Sequence, residues 1–463
     1  INRNSPSVPK QPPLGRPRGP QQAAAPLSAP TTPRAPKRPH PPRPAPLSDA
    51  PPATHADAMT KPLPADPARL LADLDALRRF GAEGAGVARR AFSNADVAAR
   101  RWLAERFAAA GLRAVVDPCG NLFGLPPGDA PALLVGSHSD TQPLGGWLDG
   151  AYGVCCGLEL ARAAREAGGP PVAVVSFQDE EGRFGGLVGS AVWSGRTTLA
   201  EADEGRDETG LSFAEARARA AEIAPVAEVS PDRFTAFVEP HIEQGPVLDA
   251  AGDAVGVVEA IVGVRALDIR FVGEANHAGT TPMPLRRDAF QALAAYAAAL
   301  NEAFAPLAAP ATVWTLGRAT VEPNAPSIVP GAATVSVQMR DGDAGRLDAM
   351  RGAAAATARR IAEARGVAVE IADRRMALQP TPMDPAWIER LARGAEAAVP
   401  GRWRRMPSGA LHDAMQVAAV LPAAMLFVPS IGGISHNPAE DTLREDLASG
   451  LAALAAALGR PAI

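Results

Sequence analysis

A short polar stretch behind an apolar run contains the residues with the clearest chemical potential. The apolar run, residues 132–135, is typical of a buried strand, and His138 and Asp140 follow it directly. A glycine-rich loop then leads to Asp149, at the start of a helical pattern. Imidazole and carboxylate groups are ligands that suit a divalent transition metal. The Asp140 carboxylate is spaced to take the second imidazole N–H of His138, although the pair alone also fits a polar loop with a satisfied histidine.

More polar clusters of this kind follow other apolar runs along the chain. Two adjacent glutamates, Glu180 and Glu181, end one such run, whereas a core strand more often ends in Gly, Asn or a single charge. In open α/β sheets the carboxyl ends of the strands share one edge, where ligands bind. The groups that we expect to converge there are His138, Asp149, Glu180, Glu181, His241 and His436.

This set of groups is too large for one catalytic zinc ion, which needs three protein ligands. Three imidazoles with two or three carboxylates suit two divalent ions, with one carboxylate bridging them. The distribution of histidines agrees, because those outside the first 58 residues all fall in predicted loops beside apolar segments. These five are His138, His241, His277, His412 and His436.

Composition excludes several classes of protein. The formal net charge is −4, which is not the electrostatic pattern of a nucleic-acid binder. No apolar run reaches the roughly 18 residues of a membrane span. The chain has 3 cysteines, two of them adjacent, which do not make a disulfide framework and indicate a reducing cytoplasm. We therefore expect a cytoplasmic protein without nucleic-acid or membrane partners.

The pattern of helices and strands predicts two kinds of domain. Residues 1–58 are rich in Pro and Arg without apolar periodicity, so we expect a disordered tail, interpreted as a translation artefact upstream of Met59 rather than a targeting peptide. Residues 59–261 and 379–463 alternate strands with helices, which predicts an α/β domain with a mainly parallel sheet. Residues 262–378 follow the strand–helix–strand–strand–helix–strand order of an inserted α+β, ferredoxin-like domain.

Seven sequence motifs, in order, carry a resemblance to a known family. The chain resembles the two-metal amidohydrolases of the hydantoinase/carbamoylase type, which include N-carbamoyl-L-amino-acid hydrolases, allantoate amidohydrolases and β-ureidopropionases, and which are related to metal-dependent aminoacylases and carboxypeptidases. The resemblance extends from about Pro67 to Leu458. Its motifs are GSHSDTQPLGGWLDGAYGV, FQDEEGRFG, PHIEQGPVL, ANHAGTTPMPLRRDA, PNAPSIVPG, PSGALHDA and GGISHNPAE.

The resemblance implies a metallo-hydrolase domain that holds two divalent ions, Zn, Mn, Co or Ni. His138 and His241 would be terminal ligands of one ion, Asp149 would bridge, and Glu181 and His436 would hold the other. The inserted domain would serve as a lid and dimerisation platform, because an open sheet edge can pair across a two-fold axis.

The same resemblance implies the remaining roles. Glu180 would be the general base, His277 would stabilise the tetrahedral intermediate, and Gln244 would contact the ureido end of the substrate. For His412 a structural role and a role in substrate binding stay open. The remaining substrate-binding candidates are Asn276, Asn324 and Arg286, the last through the substrate's carboxylate, with Arg340 as the next candidate for that contact.

Two positions depart from the family pattern without touching a proposed ligand. Leu411 stands where the family usually has glycine, and Gln338 replaces the usual aspartate ahead of Arg340. The leading hypothesis is hydrolysis of the ureido C–N bond of an N-carbamoyl amino acid or related ureido acid such as allantoate, by a homodimer. The alternatives are an aminoacylase or peptidase that acts on N-acyl amino acids, and a non-catalytic homologue.

Overall fold

The computed structural model describes residues 60–374 and 378–461, and the prediction for residues 1–58 lies outside them. None of the helices in these two ranges is long and apolar enough to cross a membrane. Up to residue 261 the elements are β1 (Thr60–Lys61), α1 (Pro67–Leu77), β2 (Ala82–Glu83), β3 (Gly86–Val87), α2 (Asn94–Ala109), β4 (Arg113–Val116), β5 (Leu122–Leu125), β6 (Ala132–His138), α3 (Ala151–Glu166), β7 (Val172–Phe177), α4 (Val188–Trp193), α5 (Leu199–Asp203), α6 (Phe213–Arg217), β8 (Phe234–Ile242), α7 (Val247–Ala251) and β9 (Val255–Ile261).

The chain then builds a second group of elements before it returns to the first sheet. This second group comprises β10 (Gly263–Val272), β11 (Asn276–His277), α8 (Ala289–Phe304), β12 (Val313–Glu322), β13 (Ile328–Val329), β14 (Ala332–Asp341), α9 (Ala344–Arg365) and β15 (Ala368–Asp373). The last elements are β16 (Thr381–Pro382), α10 (Pro385–Ala398), β17 (Trp403–Ser408), α11 (Asp413–Val417), β18 (Ala423–Val428), α12 (Arg444–Ala457) and β19 (Arg460–Pro461).

The large sheet places its parallel strands at the centre. Its strand order is β16-β9-β18-β8-β6-β7-β5-β4, and β17 pairs with β9. The neighbours β18, β8, β6 and β7 run parallel, while antiparallel strands occupy both sides of them. Every residue of β6 and β7 is buried, as expected when helices cover both faces of a parallel sheet. The prediction of a mainly parallel α/β sheet is confirmed in this central part.

The second sheet has the predicted ferredoxin-like connectivity. Its order is β12-β14-β10-β15 with antiparallel pairing throughout, and helices α8 and α9 pack on it. Its apolar core includes Phe271, Tyr296 and Met350 and is separate from the core of the large sheet. The chain passes from one sheet into the other at Val262, between β9 and β10.

The ends of the first helices follow from local sequence. Asp66 accepts a hydrogen bond from the Ala68 N–H ahead of α1, and Pro67 occupies the first helical position. Ser93 caps α2 in the same way through the Asp96 N–H. These caps satisfy amides that the helix itself leaves unpaired, so side chains close in sequence fix where both helices begin.

Candidate metal centre

The predicted ligands meet because three of the parallel strands end side by side. His138 is the last residue of β6, and Glu180 and Glu181 follow β7. His241 lies within β8, where it is still paired with Phe427 of β18. The expectation that His241 lies in a loop was therefore wrong, because its strand continues as long as its parallel neighbour can pair with it.

Asp149 lies at the centre of the site, on the loop between β6 and α3. Its Oδ1 atom is 3.5 Å from His138 Nε2 and 3.1 Å from His241 Nε2, and its Oδ2 atom is 3.2 Å from His436 Nε2. The next residue, Gly150, has φ 64°, and a Cβ atom there would lie 2.5 Å from the His138 ring. Only glycine therefore allows the chain to bring Asp149 this close to His138.

Asp149 is shared by two groups of candidate ligands. In the group of His138, Asp149 and His241, and in that of Asp149, Glu181 and His436, the ligand atoms all lie within 4.8 Å of one another. Both groups combine imidazole nitrogen with carboxylate oxygen, which suits a divalent transition metal. The donor set thus fits two divalent ions with Asp149 between them.

Hydrogen bonds set the tautomers of the two buried histidines. His138 Nδ1 is 3.1 Å from the Asp140 carbonyl oxygen, and His241 Nδ1 is 2.9 Å from that of Ile242. The Gly150 N–H donates to His241 Nε2 at 3.2 Å, so the ring proton of His241 lies on Nδ1. In the neutral rings, Nε2 is then the nitrogen without a proton and faces Asp149, the state that a metal ligand requires.

The role of Asp140 differs from the predicted one in the accepting atom. The backbone carbonyl of Asp140, and not its carboxylate, accepts the hydrogen bond from His138 Nδ1–H, and the carboxylate Oδ1 is 3.7 Å from that nitrogen. The carboxylate instead accepts the Glu181 N–H at 3.3 Å. A carbonyl only two residues away reaches the ring through a tight backbone turn, which spacing in the sequence does not reveal.

Glu180 lies beside the ligands with the properties of a proton acceptor. Its Oε2 atom is 3.6 Å from His138 Nε2. Burial, together with the negative charges of Glu181, Asp413 and Asp149, raises the pKa of Glu180 well above its ordinary value, against the opposing effect of His138. A carboxyl group of raised proton affinity can take a proton from water and return it to a leaving nitrogen.

Two residues that position ligands were missed by sequence reasoning. Glu440 Oε1 accepts the N–H groups of Leu148 and Asp149, both at 3.1 Å, and its Oε2 accepts the Ser435 hydroxyl at 2.8 Å. Gln142 donates through Nε2 to Glu181 Oε2 at 2.7 Å. Gln142 lies inside the first quoted motif and Glu440 ends the last one. Their position in these motifs is the only feature of the sequence that points to a role at the site.

His412 is buried and packs against His241. The two rings meet edge-on with centroids 4.5 Å apart, and His412 Nε2 is 2.9 Å from Ser408 Oγ. Burial and the neighbouring His241 lower the pKa of His412 well below its ordinary value. Glu239 accepts from Ser137 Oγ and from the Ala414 N–H, both at 2.7 Å, and so fixes the start of the helix that follows His412. The geometry favours the structural role for His412.

Gln244 and Arg340 border a cavity of about 740 Å³ next to the candidate metal ligands. Gln244 Nε2 donates to Asp149 Oδ2 at 2.9 Å and to Ser435 Oγ at 3.3 Å. Arg340 donates to the Gly409 carbonyl at 2.9 Å and to Gln338 Oε1 at 3.1 Å. The glutamine that replaces the family's usual aspartate therefore helps to hold Arg340 at the cavity.

Three predicted site residues have a left-handed backbone. Within the described ranges, six residues other than glycine have positive φ, and three of them are Gln244 at 58°, His436 at 52° and Asn324 at 59°. A left-handed backbone at such residues costs about 1–3 kcal/mol and persists where the surrounding structure enforces it. The strain at Gln244 and His436 aims two neighbouring side chains at Asp149.

The predicted residues of the inserted domain lie apart from the metal-binding group. Asn276, His277 and Asn324 are exposed, and in the described part of the chain no hydrogen bond or ion pair joins them to that group. The N–H groups of Gly279 and Thr280 donate to His277 Nδ1 at 3.0 and 3.2 Å, so the ring presents a protonated Nε2 to solvent.

Arg286 donates hydrogen bonds to its own loop and does not line the cavity. Its guanidinium donates to the backbone carbonyls of Thr281 and Ala278, the first at 3.0 Å. These bonds brace the turn that follows His277. Among the two arginines proposed for the substrate's carboxylate, Arg340 is the one that lines the cavity.

Comparisons with known proteins show the family of this chain. Residues 134–460 match the model of peptidase family M20/M25/M40. An N-carbamoyl-L-amino-acid amidohydrolase of Paenarthrobacter aurescens is 36% identical over 82% of this chain and 95% of its own length. An allantoate amidohydrolase of Escherichia coli K12 is 37% identical over 82% of this chain and 94% of its own.

Solved structures give the same result. The crystal structure of an amidase of the hydantoinase/carbamoylase family from Burkholderia phymatum has a TM-score of 0.81 and 44% identity, and the alignment covers 86% of this chain and 98% of that one. On these matches the chain belongs to peptidase family M20/M25/M40, within its group of hydantoinase/carbamoylase-type amidohydrolases.

Proposed function

We propose that this protein hydrolyses the ureido C–N bond of an N-carbamoyl amino acid or a related ureido acid such as allantoate. Water adds to the ureido carbonyl, the bond to the amino nitrogen breaks, and the carbamate released decomposes to ammonia and carbon dioxide. The observation that carries the proposal is Asp149, shared by two ligand groups, with Glu180 beside them. The names of the relatives from P. aurescens and E. coli support the choice of a ureido substrate.

The ligand sets define how two ions would be held. His138 and His241 would hold the first ion, Glu181 and His436 the second, and Asp149 would bridge them. Zn, Mn, Co and Ni all accept nitrogen and oxygen ligands of this kind. When bound, the two ions supply Lewis acidity toward the scissile carbonyl and toward water.

The side chains around the ions supply proton transfer and orientation. Glu180 takes a proton from the attacking water and delivers it to the leaving amino nitrogen, so the proton count is unchanged at the end of the reaction. Gln244, whose amide faces Asp149, orients the ureido end of the substrate. Arg340, at the cavity, is placed to form paired charge-assisted hydrogen bonds with the substrate's carboxylate.

We further propose a homodimer in which His277 of the partner subunit completes the site. The exposed Nε2–H of His277 is suited to stabilise the negative oxygen of the tetrahedral intermediate. Strand β12, at one edge of the small sheet, is largely exposed and can pair with a second copy. The three cysteines remain free and buried, which supports a reducing compartment, the cytoplasm.

A substrate panel tests the proposed function. The protein is loaded with Zn, Mn, Co or Ni, and release of ammonia is measured with an N-carbamoyl-L-amino acid, carbamoyl-β-alanine and allantoate. Release of the free amino acid from an N-acetyl-L-amino acid is measured in parallel. We expect turnover of at least one ureido acid and little of the N-acetyl compound. Preference for the N-acetyl compound would make the aminoacylase alternative correct.

A further inference from the structure

The 740 Å³ cavity is continuous with the site where the ureido group would lie. Gln244, Ser435 and His436 line it, and two of these contact Asp149 directly. The opposite wall comes from the inserted domain, through Pro310, Ala311, Val313 and Arg340. The cavity volume is within the roughly 300–1,000 Å³ typical of small-molecule sites. Because the cavity adjoins the candidate ligands, the group attached to the ureido nitrogen would extend into it.

The deep wall of the cavity is apolar. Val262, Met406 and Phe427 line it and are 2%, 8% and 1% exposed, so they belong to the packed interior. Val247 and Val313 also line it but are 44% and 54% exposed, which places them at the mouth. An apolar group that enters the cavity therefore exchanges water for apolar contacts along its length.

The charged side chains of the lining offer a partner for one negative charge of the substrate. Among the described lining residues, Arg340 is the only arginine or lysine. Glu243 accepts the N–H groups of Val247 and Leu248 at 2.7 and 2.8 Å, so its carboxylate is already used within the fold. A second ureido group or carboxylate that reached the deep wall would find no side-chain partner there and would lose its hydrogen bonds with water.

We infer that the cavity is a subsite for a large apolar side chain. The preferred substrate is then the N-carbamoyl derivative of an α-amino acid the size of leucine, methionine or phenylalanine, with its carboxylate at Arg340. This inference rests on the proposed function and narrows it. Carbamoyl-β-alanine has no side chain to fill the cavity, and allantoate would place its second ureido group against the apolar wall.

The test compares substrates that differ only beyond the ureido nitrogen. For the metal-loaded protein we expect kcat/KM for N-carbamoyl-L-leucine, -methionine and -phenylalanine to exceed that for N-carbamoylglycine by about 10- to 200-fold, the range that apolar pockets reach for missing methylene groups. The kcat/KM values for N-carbamoyl-L-aspartate, carbamoyl-β-alanine and allantoate should be no higher than that for N-carbamoylglycine. If kcat/KM for N-carbamoylglycine or any of these three compounds equals or exceeds that for the large apolar derivatives, the inference is overturned and ureido hydrolysis still stands.

Binding separates failure of the inference from failure of the proposed function. Equilibrium binding of the same compounds is measured calorimetrically with the metal-loaded Glu180→Gln variant. If no compound is hydrolysed by the wild type, ureido hydrolysis is wrong, and the order of affinities alone then decides the subsite. Tighter binding of the leucine derivative than of the glycine derivative supports it, and equal binding overturns it.

Two variants test the wall itself. Met406→Gln introduces an amide of similar size at the deep wall and should lower kcat/KM for the leucine derivative by about 10-fold, with a smaller effect on glycine. Val313→Asp, at the mouth, should likewise lower kcat/KM more for the leucine derivative than for the glycine derivative. Val420→Asp is the matched control, since Val420 is 41% exposed and does not line the cavity. Melting temperatures check folding, and equal losses on both substrates would contradict the inference.

Discussion

Glu440 offers the most direct test of how the metal-binding loops are held. Its carboxylate joins the loop of Asp149 to the loop of His436, through bonds from the Leu148 and Asp149 amides and from the Ser435 hydroxyl. The carboxylate also occupies the space beside Gly146, where a Cβ atom would lie 2.0 Å from it. Removing this side chain should therefore disturb both ligand groups at once.

The size of the effect follows from the hydrogen bonds that are lost. Leu148 and Asp149 are buried, and leaving a buried donor unsatisfied costs about 1–3 kcal/mol. Glu440→Ala leaves both amides unsatisfied, so we expect a combined cost of about 2–6 kcal/mol, shared between folding and metal binding. Glu440→Gln keeps one acceptor oxygen for the two amides, but it loses the negative charge and replaces the oxygen that accepts from Ser435 with an NH2 group. Because residues that support metal ligands typically contribute 10- to 100-fold to affinity, we expect about 100-fold weaker metal binding for alanine and about 10-fold for glutamine.

The measurement is zinc content per chain and zinc affinity against a competing chelator, together with the melting temperature. Glu445→Ala is the control, because Glu445 is exposed in the first turn of α12, only five residues away. Zinc affinity should be lowest for Glu440→Ala, intermediate for Glu440→Gln, and highest for the control and the wild type. The reasoning is refuted if Glu440→Ala binds zinc as tightly as Glu445→Ala does.

Three further predictions concern catalysis. Glu180→Gln should keep the metal content of the wild type and lose at least about 10²-fold in kcat, whereas Glu181→Ala should lose metal; the opposite pattern in metal analysis would exchange their roles. Mixing inactive His277→Ala and Glu180→Gln chains should restore activity above that of either parent, because a mixed dimer contains one intact site; if no mixture exceeds its parents, His277 does not act across a dimer. Arg340→Ala should reduce kcat/KM strongly for a carboxylate substrate and weakly for its amide, while Arg286→Ala should affect both equally; the reverse result would return the carboxylate to Arg286.

Local sequence was sufficient to predict much of the secondary structure and the convergence of the candidate ligands. The helix starts at Asp66 and Ser93 depend on side chains that bond amides only two or three residues away. The strands before His138 and Glu180 are continuous apolar runs because both of their faces are buried. Polar groups at the ends of parallel strands converge on one edge of the sheet, so the candidate ligands could be identified without coordinates.

Only the tertiary structure shows which atoms meet. Glu440 bonds to the Asp149 amide across 291 positions of the chain, and no periodicity or spacing encodes that contact. Likewise, Arg340 and Arg286 are equal as charges in a sequence. The fold separates them, because β14 carries Arg340 to the cavity, whereas Arg286 donates to its own loop and does not line the cavity. Local structure depends on neighbours in sequence, whereas the partners of a side chain depend on how distant segments pack, and the chemistry of this site is decided by those partners.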